Sequence, residues 1–347
     1  MRPRVGTAIR RICLTVLLGT GCGTLGDGVP LPDNWPRTPL RGFVLRDLES
    51  PLVIERAGFD LDMPTVEPTG GGLPLHLFGQ LTPRNQPDRK QLFSAVLTAL
   101  DVATEPADLF APTLPWEGQG IGNPMWLSGL PDLDPVLLYT TSDGAIGVFR
   151  RLRDGSLERL PMPLFTAGTL TTGKLGRVSP TLENGRLRLY FSVDDWSVHF
   201  ADTAASDVAA FVRGDLRPVA FSISPSLITA ANFQVSVSRS QQLPAERLGS
   251  LFVRRFTTPA GRGRYDLYGR AEAMGKVALV AAASFRGDAG EPFLAVPDPL
   301  LAATAGGIPM GPSVTEVSGH SVLLLGLKMV QTGIAVAVPQ SDLPKQP

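Results

Sequence analysis

The stretch from Arg177 to Ala201, RVSPTLENGRLRLYFSVDDWSVHFA, leaves the chain few choices of fold. Pro180 opens an extended run, Glu183-Asn184-Gly185 carries the residues of a tight turn, and Leu187, Leu189 and Phe191 then alternate with Arg188, Tyr190 and Ser192. After the polar corner Asp194-Asp195-Trp196, a third alternating run passes through Val198 and Phe200. Side chains two apart share a strand face, and Asn-Gly between alternating runs is a hairpin signal. The stretch therefore reads as an antiparallel meander. Leu187, Leu189 and Phe191 are expected on one sheet face and Arg188 and Tyr190 on the other.

The same grammar recurs. Asp62-Met63-Pro64 opens a unit with Gly70-Gly71-Gly72 as its turn, and Gly122-Asn123-Pro124 opens the next, with a corner at Ser142-Asp143-Gly144. Ser179-Pro180 opens the third, Thr258-Pro259 a degenerate fourth, and Gly311-Pro312 the last, which turns at Gly319 and returns through Ile334 to Val338. Units about 55 to 80 residues apart, each too thin to bury both of its faces, must stack around an axis. The expectation is an all-β chain: a five-bladed β-propeller of four-stranded antiparallel blades, at roughly 60 residues per blade. A β-sandwich is the competing architecture. Two runs, Lys90 to Leu100 and Ser206 to Val212, fit a strand or a short helix equally well.

Closure of such a ring is a separate problem. The final unit has room for three strands, and the tail after Val338 is too rich in proline to supply a fourth. Gly42-Phe43-Val44-Leu45 and Leu52-Val53-Ile54-Glu55 precede the first unit, so one of them is expected to pair beside the run Ile334 to Val338.

Composition narrows the function. Lys plus Arg and Asp plus Glu stand at 32 each, which argues against a nucleic-acid partner. The 37 glycines and 32 prolines follow no collagen period and serve as punctuation between short strands. The two cysteines, Cys13 and Cys22, both lie in the first segment, so the rest of the chain holds no disulfide or thiol site. His76, His199 and His320 are far apart without ligand spacing, and neither metal nor cofactor is expected. Phosphate-loop, nucleophile-elbow and HExxH patterns are absent.

Residues 1–22 read as an export signal: basic Arg2, Arg4, Arg10 and Arg11, an apolar run from Ile12 to Leu18, then Gly19-Thr20-Gly21 before Cys22. This resembles a bacterial lipoprotein signal, although the leucine of that pattern stands four residues before the cysteine here, at Leu18, instead of three. The resemblance implies lipidation of Cys22 and a membrane held through that anchor; simple cleavage is the other reading. Gly23 after the cysteine resembles the outer-membrane sorting rule. Residues 23–39 are a Gly/Pro-rich tether, and 40–347 are assigned to the propeller.

Pro180, the Gly185 turn and Leu189-Tyr190-Phe191, followed by Val198-His199-Phe200-Ala201, resemble the blades of five-bladed glycoside hydrolases of families 43, 32, 117 and 130. In those enzymes, carboxylates at the entrances to the innermost strands supply base, acid and pKa modulator. Here Met63, Asn123, Ser179, Thr258 and Gly311 precede the opening prolines, so the pattern is broken, with Asp62 one residue further back. In an up-and-down sheet, the entrance of strand one and the corner between strands two and three lie at one end. That end is expected to gather the candidate catalytic carboxylates Asp62, Glu117, Asp194, Asp195 and Glu272, and the candidate binding residues Asp60, Trp116, Asn123, Trp126, Asp143 and Trp196. Tryptophan beside carboxylates suits sugars, whose C–H faces pack on rings while hydroxyls donate to carboxylates. The Asp-rich corners also read as plain turn residues, and Glu183 falls at the opposite, structural end.

The first functional expectation is a noncatalytic envelope lipoprotein whose propeller face binds a polysaccharide or an envelope protein. The alternative is a surface-anchored glycoside hydrolase, which needs two carboxyl groups about 5–5.5 Å or 6.5–9.5 Å apart. A structural subunit of an envelope assembly would instead carry a broad apolar patch.

Overall fold

The computed structural model describes residues 42–340 apart from 69–71, 167–174, 258–262, 289, 297–298 and 302–303, together with the short antiparallel pair Thr24–Leu25 and Val29–Pro30. Both cysteines, the signal segment and most of the tether lie outside the described residues, as does Thr258.

Five antiparallel sheets follow one another along the chain. Blade one is built from Phe59–Val66, Leu75–Pro83 and Gln91–Ala99, blade two from Ile121–Leu127, Val136–Thr141 and Ala145–Arg151. Blade three takes Ser179–Glu183, Arg186–Val193 and Ser197–Ala204; blade four takes Arg247–Thr257, Gly263–Ala273 and Lys276–Ser284. Blade five holds Ile308–Val317, His320–Lys328 and Thr332–Pro339. The fourth strand is interrupted in most blades: Val102–Ala103 and Ala107–Phe110 both pair with Gln91–Ala99, for example. The molecule is thus an all-β, five-bladed propeller of four-stranded antiparallel blades.

Burial explains why the sheets stack. The core divides into five clusters, one at each junction between neighbouring blades. Alternation decides which junction a residue joins. Leu187, Leu189 and Phe191 pack toward blade two, while Tyr190 packs toward blade four. Tyr190 is fully buried, and its hydroxyl donates to the Gly287 carbonyl at 2.6 Å. Each large apolar side chain removed from water in this way contributes about 1.5–3 kcal/mol, and both faces of every sheet collect that gain.

The ring is closed by the N-terminal segments. Phe43–Leu45 and Leu52–Ile54 both pair with Thr332–Pro339, so the two together form the interrupted fourth strand of blade five. The sequence asked for one of them; two are used because every fully interrupted outer strand here comes in two pieces. The ambiguous runs resolve in opposite ways. Gln91–Ala99 is a strand, with Leu92, Phe93 and Leu97 buried on its two faces. Ala205–Arg213 is a helix that stops at Gly214, whose φ of 114° is open to glycine.

One expectation is corrected. Blade four does not open at Thr258-Pro259: its innermost strand is Arg247–Thr257, ending where the sequence placed its start. The prolines were read as one repeated signal, yet they occupy different strand positions. Met63-Pro64 and Asn123-Pro124 sit inside a bulge of the innermost strand, whereas Pro180 and Pro312 lie beyond it, paired with Leu189 and Leu325.

Candidate functional site

Every innermost strand carries an irregularity near its entrance. Register slips by one residue between Asp62 and Thr65, Gly122 and Met125, Gly249 and Phe252, and Pro309 and Pro312. In blade three an isolated bridge from Leu175 to Val193 precedes the regular pairing of Ser179 with Tyr190. A bulge twists the strand and re-aims its side chains. Met63, Asn123 and Ser250 take up its left-handed backbone at φ of 52°, 51° and 53°. The five bulges ring the axis, and the residues leading into them are Asp62, Gly122, Gly176, Gly249 and Pro309. Asp62 alone of these is a carboxylate.

Asp62 is buried, and its Oδ1 accepts the Met63 N–H at 2.6 Å. It lies against Gly326 of blade five, where a Cβ would stand 2.2 Å from Oδ1, so any other residue there would displace the carboxylate. Burial pushes the Asp62 pKa up, opposed by the Met63 and Gly311 N–H groups and by the charges of Arg177 and Arg270.

Arg177 is equally buried. Its Nη1 donates to the Pro312 carbonyl at 2.7 Å and its Nη2 to the Pro64 carbonyl at 2.6 Å, tying blade three to blades five and one across the axis. Burial lowers its pKa to about 10, with the Asp62 charge working against the fall.

Around this pair stand further polar groups. Asn123 Nδ2 donates to Thr140 Oγ1 at 2.7 Å, and Arg270 bonds to Glu272 at 3.2 Å. Gln80 Oε1 and Ser192 Oγ are buried without a bonded partner. They approach backbone that only glycine leaves bare: a Cβ on Gly122 would lie 2.1 Å from Gln80 Oε1, and one on Gly176 2.5 Å from Ser192 Oγ.

Strand entrances and corners between strands two and three share one end, since Ile121 N bonds to Lys90 O at 3.0 Å and Leu248 N bonds to Asp195 O. Asp195 ion-pairs with Arg247 at 2.6 Å, and Asp194 and Asp195 both have left-handed backbone at the corner, beside the exposed Trp196. Asp60 accepts from Arg84 Nε at 3.1 Å and from Thr332 N at 3.2 Å. Asp143 stands at the blade-two corner beside Gly118, whose Cβ would meet Oδ2 at 2.7 Å.

Three sequence-flagged residues stand apart. Glu117 is fully buried and held by Tyr139 Oη at 2.6 Å, Arg159 Nη1 at 2.7 Å, Thr113 N at 2.7 Å and Leu114 N at 2.9 Å. With four donors on one carboxylate, it works as a structural centre. Trp116 is fixed near it, its Nε1 donating to Pro161 O at 2.9 Å and its ring stacked near Tyr139. Trp126 lies past the bulge, toward the opposite end of the axis. Conversely, sequence reasoning passed over Arg177, Arg270 and Gln80. The only available signal was polar side chains in strand positions next to glycine.

Among the described residues, no group of three or more His, Cys, Asp or Glu is placed to hold a metal ion. Arg270 connects two carboxyl groups electrostatically: its charge acts on Asp62, and it ion-pairs with Glu272 at 3.2 Å.

No protein-family model and no curated protein matches the chain. Solved structures do. An endo-arabinase from Bacteroides thetaiotaomicron superposes with a TM-score of 0.56 at 14% identity, covering 86% of this chain and 97% of that one. The catalytic domain of a Coprinopsis cinerea GH62 α-L-arabinofuranosidase gives 0.58 at 11% identity, over 86% and 96%. A glycosyl hydrolase from Bacteroides ovatus gives 0.57 at 13% identity, over 91% and 96%. At such identities the likeness is one of fold.

Proposed function

We propose that the axial mouth binds a glycan and hydrolyses a glycosidic bond, with α-L-arabinofuranosides as the first substrate class to test. The observation that carries this reading is Asp62: the one carboxyl leading into a bulge, desolvated, with its pKa raised and two guanidinium groups near it. A carboxyl of that kind keeps its proton to higher pH and can deliver it to a leaving oxygen. Glu272, held by Arg270, is the second carboxylate and would activate water or attack the sugar carbon. Trp196, exposed at the rim, offers a face for sugar C–H groups. Two of the three enzymes of similar fold named above are, by their names, an endo-arabinase and an α-L-arabinofuranosidase.

A specific observation favours a second reading, that of a glycan-binding propeller without turnover. Of the five residues leading into the bulges only Asp62 is a carboxylate, with Gly122, Gly176, Gly249 and Pro309 at the other four, so an acid–base pair is not built from those positions alone. A panel of aryl glycosides and arabinan separates the two. Under the hydrolytic reading, Asp62→Asn lowers kcat by about 10²-fold or more, and wild-type activity falls as pH rises through the Asp62 pKa. Binding of arabinan without turnover by the wild type would establish the second reading.

We also propose that Cys22 is lipidated and anchors the chain to the cell envelope. A Cys22→Ser protein should leave the membrane fraction with its propeller intact, and its retention there would end this reading.

A further inference from the structure

We propose that Met63 and Met310 form, beside Asp62, a site for the aromatic leaving group of an aryl glycoside. This assignment rests on the hydrolytic reading of Asp62 and goes beyond it by naming the chemical class of the group that departs.

The bulges bring one residue from each blade to the same level around the axis. The first residue inside the bulge is Met63 in blade one, Asn123 in blade two, Ser250 in blade four and Met310 in blade five. In blade three the equivalent residue is Arg177. Arg177 is buried, whereas the other four are partly exposed. Blades two, three and four thus present polar side chains. Blades five and one, which pack on each other once the ring closes, both present a methionine. The mouth is divided into a polar and an apolar sector.

Asp62 belongs to the apolar sector. Met63 Sδ lies over Gly311, where a Cβ would come within 2.1 Å of it. A Cβ on Gly326 would meet Asp62 Oδ1 at 2.2 Å and Met310 Cβ at 3.0 Å, so carboxyl and methionine rest on the same glycine. The turn does not account for Met63: its left-handed backbone favours asparagine, the residue that blade two has at the equivalent Asn123. Backbone groups around the two methionines are largely engaged or missing. The Met63 and Gly311 N–H groups serve Asp62, and the carbonyls of Pro64 and Pro312 accept from Arg177. Pro64, Pro309 and Pro312 have no N–H to offer.

A sugar ring seated there would lose water from its hydroxyls and gain few partners in return. An aromatic ring asks for none, and a thioether makes favourable contact with its edge. A proton given up by Asp62 goes to the departing oxygen, so the group carrying that oxygen lies on the Asp62 side, against the methionines. The sugar takes the other side, where Asn123, Ser250, Arg270 and Glu272 supply donors and acceptors. In the overall step the bond from the anomeric carbon to the phenolic oxygen breaks and the oxygen of water takes its place. The phenolic oxygen receives the Asp62 proton, which water replaces, and a free sugar and a phenol leave.

Methyl-labelled methionine provides the test. The chain has seven methionines, and the signals lost in Met63→Leu and in Met310→Leu assign the two reporters. Among phenyl 1-thioglycosides of L-arabinose, D-xylose and D-galactose, at least one should move both signals saturably through the ring current of the phenyl group. The matching methyl 1-thioglycoside and arabinobiose should move them little. Replacing both residues, Met63→Gln with Met310→Gln, should weaken binding of the phenyl compound about tenfold and leave that of the methyl compound unchanged. Should the double variant not fold, Met310→Gln alone should weaken it roughly threefold. Thioglycosides resist cleavage, so the signals report binding independently of turnover. A shift in a protein that cleaves no aryl glycoside would end the hydrolytic reading and leave the aryl site standing. The assignment is overturned if no phenyl compound moves the two signals, if arabinobiose moves them as far, or if a folded Gln variant keeps the wild-type preference.

Discussion

Glu117 and Asp266 are both buried carboxylates, and their surroundings give them opposite consequences. Glu117 has four donors, so Glu117→Ala would strand the Arg159 guanidinium and the Tyr139 hydroxyl in a dry site. Breaking a buried pair by removing one partner costs about 3–5 kcal/mol. Chemical denaturation should show a loss of that size, with ligand affinity at the mouth unaltered in whatever fraction stays folded. Asp266 is fully buried beside Arg264 at 2.6 Å, yet burial outweighs that partner and pushes its pKa up to about 6. The folded state therefore holds a proton that the unfolded chain releases near pH 4. Stability from this group is full below pH 4 and falls as pH rises toward 6, by on the order of 3 kcal/mol. In Asp266→Asn that slope should vanish from unfolding midpoints measured between pH 4 and 6. Neither role could be read from the sequence. Tyr139 and Arg159 stand 22 and 42 residues from Glu117, and only folding brings them together. The corner at Asp195 was legible because turn residues are local, whereas the setting of Asp62 was not, because it depends on a bulge that alternation does not show.

At the level of elements, the blades were readable because period two and turn residues are local. The bulges were not, because an extra residue appears only when two strands are aligned. The Met63-Pro64 and Asn123-Pro124 steps were seen as starts of strands when they are irregularities within them. Closure was legible from a shortage: blade five lacked a strand, and the N-terminal segment offered two. Phe43, Leu45 and Ile54 are buried at that seam. Removing residues 40–56 would withdraw those side chains and bare the Thr332–Pro339 edge to other chains. At about 1.5–3 kcal/mol for each buried side chain, the thermal midpoint should fall steeply. Light scattering should report self-association of the truncated protein at concentrations where the full chain stays dispersed. A truncated protein with an unchanged midpoint would mean that blade five completes itself in another way.

Across the whole molecule, the seams between blades are largely apolar, and near the axis one buried side chain ties three blades together. Arg177 reaches from blade three to carbonyls on blades one and five, 113 and 135 residues away in the chain. Those carbonyls sit next to the bulges, where regular pairing within the blade is interrupted. Arg177 therefore satisfies acceptors that the bulges leave open, and its charge stands near Asp62. Its removal would affect three blades at once and leave Asp62 with less opposing charge. Arg177→Ala should lose about 3–5 kcal/mol by chemical denaturation. Arg177→Lys should recover only part of that, because an ammonium is a point donor and does not match two carbonyls in the fixed plane of a guanidinium. The same variants report on the mouth. With Arg177 gone, the Asp62 pKa rises further, so a pH profile governed by Asp62 should move to higher pH in any variant that folds. If Arg177→Ala unfolded at the wild-type midpoint and titrated as the wild type does, the axial bonds would contribute neither stability nor charge. The seams between blades would then hold the ring by themselves.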